Sequence, residues 1–256
     1  MPKVEDIPLV YAMRNVLRRA GVEVLPARVD SSLLAMHLDR LFSTLNVSCV
    51  LDVGARVGDY GLWLRRNGYC GDIISFEPVT VNFKELEKAA ARDSNWHCFN
   101  YALGAEDNIS SINVAKHTEF SSFWEMSAAA QVRFGEETST ERSEDVAIRR
   151  LDSVLDTLPT KLTDRIYLKL DTQGWDLEVL KGAQAVLKRV TALQTEVSVQ
   201  PIYDGMPVMQ DSLAAIAGYG FIPSGFFPVH LDSRMAAVEF DLVAVRSAPG
   251  RDPREN

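Results

Sequence analysis

Val-Leu-Asp-Val-Gly-Ala-Arg-Val-Gly-Asp-Tyr-Gly, residues 50–61, is the stretch that decides the fold of this chain. An apolar run ending in Asp52 reads as a buried strand. Gly54 and Gly58 read as a turn into a helix, where a residue without a side chain lets the backbone approach a ligand. Further along, Ile73-Ile74-Ser75-Phe76-Glu77-Pro78 is a second apolar strand that ends in an acid. Pro78 cannot continue a ladder and holds Glu77 extended at the strand's C-terminal edge. A carboxylate there, about 20 residues beyond a glycine turn, accepts hydrogen bonds from a ribose diol in nucleotide-binding α/β folds. Together the two strand ends predict an adenosine-bearing cofactor laid across them.

Working outward, strand and helix patterns alternate for most of the chain. Strands are expected at 47–53, 72–76, 96–103, 166–170, 192–199, 221–222 and 239–245, with helices at 59–67, 79–92 and 209–219. Leu177, Leu180, Ala183 and Leu187 mark the core stripe of a further helix. Repeated β-then-α order implies a mainly parallel sheet covered on both faces. Residues 1–46 read as an N-terminal helical cap, and 104–150 as an irregular insert with short strands at 110–115 and 145–149. The Pro/Gly-rich stretch 223–235 reads as a loop, and 247–256 as a disordered tail.

The 256 residues suit one sizeable α/β domain, and 46% hydrophobic with 24% charged residues is ordinary globular composition. A net charge of −8 argues against nucleic acid or an anionic membrane as the main partner. No run is long enough to span a bilayer, and a cytoplasmic setting is expected. Cys49, Cys70 and Cys98 are unpatterned for metal and are assigned no chemistry. No tight acid cluster in the sequence demands a metal either.

The glycines are spaced Gly-x-x-x-Gly, whereas a pyrophosphate needs the closer double glycine of a dinucleotide fold. A cofactor without phosphates needs one close backbone approach, and S-adenosylmethionine meets that condition. Its ammonium and sulfonium favour acidic neighbours, which Asp52, Glu77 and Asp171 supply. Ala102 and Leu103, ending the third strand, offer an apolar wall to an adenine. The segment 167–183, Tyr-Leu-Lys-Leu-Asp-Thr-Gln-Gly-Trp-Asp-Leu-Glu-Val-Leu-Lys-Gly-Ala, is again a strand, an acid at its tip, a glycine turn and a helix. Asp171 therefore points into the crevice of Asp52 and Glu77, while Asp176 reads as the N-terminal cap of the helix.

These motifs, taken in order, resemble the FkbM-type S-adenosylmethionine-dependent methyltransferases. The resemblance runs through Leu51–Ala55 with Gly58, Phe76-Glu77-Pro78 with Asn82, Ala102-Leu103-Gly104, the Leu-Lys-Leu-Asp-Thr-Gln-Gly segment, Glu196 to Tyr203 and Phe240-Asp241-Leu242. It covers about residues 47–246 and implies a Rossmann-like class I methyltransferase domain. That domain has seven mainly parallel strands, the last antiparallel, with helices on both faces. It also implies methyl transfer to a hydroxyl of a sugar, glycan or natural product. Arg56 stands where the family often has Asn, and Gln173 where it often has Glu.

The cofactor-binding set is thus Asp52, Gly54, Ala55, Gly58, Glu77, Pro78, Ala102, Leu103 and Asp171. An in-line displacement mainly needs alignment, and a hydroxyl nucleophile gains from a general base. Asp171 and Glu196 end adjacent strands, and His117 and His230 lie in irregular segments over the strand ends; these four are the catalytic candidates. Tyr203, Ser121 and Ser122 are weaker candidates for substrate contact. Expected partners are a small-molecule or glycan acceptor, with a homodimer admitted and nucleic acid not expected. Two other readings stay open: a nucleotide-linked oxidoreductase on a related fold, and a cofactor-binding protein without catalysis.

Overall fold

The computed structural model of the chain describes residues 16–17, 19–21, 29–158 and 165–247. Much of the expected N-terminal cap and the tail beyond Ser247 lie outside these residues. The described part of the cap is dominated by α1, Val29–Leu45. Its Leu38 and Leu41 are buried against the first face of the sheet, and Phe42 sets its ring edge-on to Tyr167 at 4.8 Å.

The main sheet begins with β1 (Cys49–Val53), then α2 (Asp59–Arg66), β2 (Asp72–Phe76), α3 (Thr80–Ala90) and β3 (Trp96–Phe99). All five β1 residues are buried, the signature of a central strand covered on both faces. Even-numbered Val50 joins Leu38, Ile73 and Tyr167 in one core; odd-numbered Leu51 and Val53 join Leu168, Leu170 and Val179 in the other. After β3 the chain leaves the main sheet. Asn100 donates its side-chain amide to the carbonyls of Glu77 and Pro78, at 2.9 and 3.1 Å, and turns the backbone. The single strand expected over 96–103 is therefore two, and β4 (Ala102–Leu103) belongs to a second sheet.

That second sheet corrects the reading of 104–150 as irregular. β5 (Asn108–Ala115) and β6 (Thr140–Arg149) pair antiparallel, β4 joins β6, and α4 (Ala128–Phe134) lies between the long strands in sequence. Only their ends are apolar: Ile112, Val114 and Val146 pack with Val79 and Phe123 in a small core of their own. The polar remainder is exposed, which hid the strands from a hydrophobicity pattern.

The chain then runs through α5 (Leu151–Val154), β7 (Ile166–Leu170), α6 (Asp176–Lys181) and α7 (Gln184–Leu187). The helix expected over 177–187 breaks at Gly182, where an added Cβ would sit 1.9 Å from the Gly104 carbonyl oxygen. Asp152 restarts it by accepting the N–H groups of Ala185 and Val186. Asp176 does not cap α6. It reaches back to the Thr172 N–H at 2.9 Å and to the hydroxyls of Thr172 and Thr195, tying the post-β7 loop to the next strand.

β8 (Val190–Ser198), α8 (Met209–Gly218), β9 (Phe221–Leu231) and β10 (Ala237–Arg246) complete the fold. The loop expected over 223–235 is mostly strand. Pro223 and Pro228 are tolerated because β9 is the sheet's edge, where one row of backbone groups needs no partner. The strand order is β3-β2-β1-β7-β8-β10-β9, with β10 antiparallel to both neighbours. The order reverses between β1 and β7, and open α/β sheets bind ligands in the crevice beyond the strand tips at that switch point.

Candidate active site

Two tiers of polar side chains stand on one face of the sheet at that crevice, because alternate strand residues share a face. The lower tier is Ser75, Asp52, Lys169 and Gln194, mutually in register on β2, β1, β7 and β8. Two residues on along each chain comes the upper tier of Glu77, Gly54, Asp171 and Glu196. Above them opens a cleft of about 990 Å³, lined among others by Ala55, Arg56, Pro78, Ala102, Leu103, Ile112, Phe123, Gln173 and His230.

The lower tier is a buried polar row. Trp96 Nε1 donates to Ser75 Oγ at 2.9 Å, and Ser75 Oγ to Asp52 Oδ2 at 3.2 Å. Lys169 Nζ lies 3.1 Å from Asp52 and 3.3 Å from Asp171, with the two paired side chains of Lys169 and Asp52 6% and 0% exposed. Burial alone would strip the Lys169 proton, but the carboxylates of Asp171 and Asp52 outweigh it and hold its pKa above the usual value. A buried charge persists only when paired in this way. Asp52 therefore stands beneath the cleft rather than on its wall. Lys169 is the residue that strand patterning alone overlooks, although a lysine inside Ile-Tyr-Leu-Lys-Leu marks a charge that must find a buried partner.

The glycine turn is shaped by protein contacts. Gly54 has φ 78°, and a Cβ there would lie 1.9 Å from the Asp171 carbonyl oxygen, so the tips of β1 and β7 can close only on glycine. Gly58, at φ 90°, packs against Leu86, Ala89 and Trp96 and does not line the cleft. The turn's amides are consumed internally: Gly54 and Ala55 donate to the Phe76 carbonyl, Arg56 to Glu77 Oε2 and Gly58 to the Ala55 carbonyl. These four N–H groups form no nest for a pyrophosphate, which removes the basis for a dinucleotide cofactor.

Glu77 is 5% exposed and lines the cleft. It accepts from the N–H groups of Arg56 and Val79, both at 2.9 Å, and from Asn82 Nδ2 at 3.3 Å. Burial outweighs these bonds and pushes its pKa up to about 7. Arg56 itself sits at φ 49°, a left-handed conformation that Asn adopts with less strain. Its guanidinium pairs with Asp59 at 3.3 Å and reaches Glu119 at 4.0 Å. Arg56→Asn is expected to preserve the turn and raise stability by less than about 1 kcal/mol in thermal denaturation. A clear loss would mean that the guanidinium's ion pairs outweigh the backbone strain.

At the other end, Gln173 Nε2 bridges Asp171 Oδ1 at 3.0 Å and Glu196 Oε2 at 3.1 Å. The Glu196 pKa is pushed upward by burial first, then by the charges of Asp171, Glu239 and Asp241. Asp241, opposite Glu196 on β10, is raised to about 6, mainly by burial. His230, on β9, lines the cleft with Nδ1 3.8 Å from Glu239 Oε2. His117 is 53% exposed and does not line it; its neighbours Thr118, Glu119 and Phe120 do. Tyr203 and Ser122 are also off the wall. Tyr203 is buried with its hydroxyl on Gln173, and the Ser122 hydroxyl donates to the Gln173 carbonyl, while Ser121 lines the cleft. Among the described residues no His, Cys, Asp and Glu side chains are grouped to hold a metal ion, and no helix is long and apolar enough to cross a membrane.

The donor set fits a nucleoside without phosphates. A buried carboxylate for a diol adjoins an apolar slot of Ala102, Leu103, Ile112 and Phe123, with acids beyond for a cationic end. Strand order and cleft together define a class I S-adenosylmethionine-dependent methyltransferase. The chain belongs to the family of the Methyltransferase FkbM domain, whose model matches residues 52–223. S-Adenosylmethionine is its cofactor. A search of curated proteins gives no match. Among solved structures it is similar to fibrillarin of Aeropyrum pernix with natively bound S-adenosyl-L-methionine (10% identity, 77% of this chain and 66% of that one, TM-score 0.44). It is also similar to magnesium protoporphyrin IX methyltransferase of Synechocystis PCC 6803 (13%, 91% and 90%, TM-score 0.42) and to WbdD (14%, 88% and 41%, TM-score 0.47).

Proposed function

We propose that the protein is an O-methyltransferase that moves a methyl group to a hydroxyl of a sugar, glycan or natural-product acceptor, with Glu196 as general base. Glu196 carries this reading. It is a carboxylate near the C-terminal end of β8, in the same cleft as Glu77, and burial with the neighbouring acids raises its pKa and so its strength as a base. Asp171 is tied to Lys169 and so is the less available of the two catalytic acids.

In this reading Glu77 holds the ribose diol, while Ala102 and Leu103 of β4, joined by Ile112 of β5 and by Phe123 from the segment after it, enclose the adenine. Gly54, Ala55 and Pro78 shape the floor, and Asp171 faces the ammonium of the amino-acid end. When bound, S-adenosylmethionine supplies a methyl carbon on a positively charged sulfur. Glu196 would take the acceptor's hydroxyl proton as the oxygen bonds to that carbon and the carbon–sulfur bond breaks, leaving neutral S-adenosylhomocysteine. His230 and Glu239 stand at the acceptor end, and the wall built by residues 118–121 and 123 would restrict water.

The test follows S-adenosylhomocysteine formation by the full chain against a panel of polyols, sugars, glycans and phenolic natural products. Acceptor-dependent turnover at oxygen supports the reading. Turnover at nitrogen or carbon alone would overturn it, as would tight cofactor binding without turnover on any acceptor, the outcome expected of a non-catalytic binding protein.

A further inference from the structure

Gln173 is the hub of a second set of contacts that the cofactor does not explain. It follows the tip of β7 in the left-handed region, φ 53°, with its carbonyl held by the Ser122 hydroxyl at 2.7 Å. Its side-chain nitrogen carries two protons, one directed at Asp171 and one at Glu196. Its side-chain oxygen takes the Tyr203 hydroxyl at 2.8 Å, and the same hydroxyl lies 3.1 Å from the Phe120 carbonyl. Tyr203 is 1% exposed and packed among Ala130, Ile202 and Val238, so its hydroxyl has little freedom to move.

Four elements bring charge around Glu196. β7 and the turn after it bring Lys169 and Asp171, α6 brings Asp176, β10 brings Glu239 and Asp241, and β9 brings His230 beside Glu239. Lys169 is committed to Asp52 and Asp171. Glu196 is thus surrounded mostly by like charge, and the Gln173 amide is a neutral group that donates to it. A flipped amide would turn its oxygen onto both carboxylates and its N–H groups onto the tyrosine. The tyrosine hydroxyl, by donating to the amide oxygen, opposes that flip.

We propose that Tyr203 and Gln173 form a positioning pair for the catalytic base: the tyrosine fixes the amide, and the amide holds Glu196 Oε2 so that Oε1 faces the acceptor. This rests on Glu196 being the base. Tyr203 stands off the cleft wall and acts through Gln173, which lines the cleft and acts on Glu196 through its amide.

The pair makes a prediction that can be read on the full chain without an acceptor. Infrared difference titration detects the carboxylic acid of Glu196, identified as the band missing in Glu196→Gln. Gln173→Met removes a hydrogen bond to the ionised form and is expected to raise the Glu196 midpoint by about one to two pH units. Tyr203→Phe should shift it in the same direction by less, since the freed amide samples the flipped state. Gln173→Glu should also raise it, through added negative charge. A midpoint unmoved in Gln173→Met, with or without a loss of thermal stability, overturns the proposal. If that variant fails to fold, Tyr203→Phe decides: an unmoved midpoint there overturns it too. Failure here leaves cofactor binding intact; failure of the base assignment appears separately, as normal turnover in Glu196→Gln.

Discussion

Glu196→Gln is expected to lower kcat for methyl transfer by about 10²–10⁴-fold, with a much smaller change in affinity for S-adenosylmethionine. The amide has nearly the carboxylate's shape and still accepts from Gln173, so the site keeps its form and loses its base. In the wild-type enzyme kcat should rise with pH through the raised Glu196 value, because only the ionised carboxylate accepts a proton. That limb should vanish in the variant. Stability gives an independent sign. A folded-state pKa above the unfolded one contributes stability that is complete below the unfolded value, about 4.3 for glutamate, and is lost as pH rises through the folded value. Wild-type protein should therefore lose part of its stability on going from acid toward neutral pH, and Glu196→Gln should lose less. Unchanged kcat in the variant would remove Glu196 from the mechanism.

Gly54→Ala is expected to cost more than about 4 kcal/mol, enough to leave little folded protein. The new methyl would lie 1.9 Å from the Asp171 carbonyl oxygen, in a backbone conformation of φ 78° that side chains rarely adopt. Relief requires parting β1 from β7 at the point where the cofactor crevice forms. Gly68→Ala is the control. It also has a positive φ, 89°, but nothing lies within 4 Å of its added Cβ, so only the conformational cost of about 1–2 kcal/mol applies. Urea denaturation of both variants separates the two effects. Equal losses would mean that conformation, and not the meeting of the strand tips, is why position 54 is glycine.

The parts of the site that were legible in the sequence are those a strand end announces. Asp52, Glu77 and Asp171 stand at the ends of apolar runs, Glu196 follows Ala192-Leu193 with Gln194 and Thr195 between, and a parallel sheet brings such ends to one edge. Their division of labour was not legible. Whether an acid lines a cleft or sits beneath it depends on its depth along the strand: Asp52 stands on the same face as Gly54 but one pleat lower, and is off the cleft wall. Gln173 and Tyr203 meet because the turn after β8 folds back on the turn after β7, a contact with no periodic signature. The second sheet was hidden by exposed polar strands, and β9 by its two prolines. His117 is a candidate because its segment lies over the strand ends, but that placement says nothing of where a loop side chain points.

The central claim is that Glu77, just beyond β2, holds the ribose of S-adenosylmethionine in the crevice over the strand tips. Calorimetric titration of S-adenosylmethionine into wild-type and Glu77→Ala protein, each shown to be folded by circular dichroism, tests it most directly. The claim predicts one-to-one binding by the wild type and an affinity at least about tenfold weaker in the variant, the scale of a lost hydrogen bond to a charged group. Equal affinities in two folded proteins, or no binding by the wild type, would contradict it.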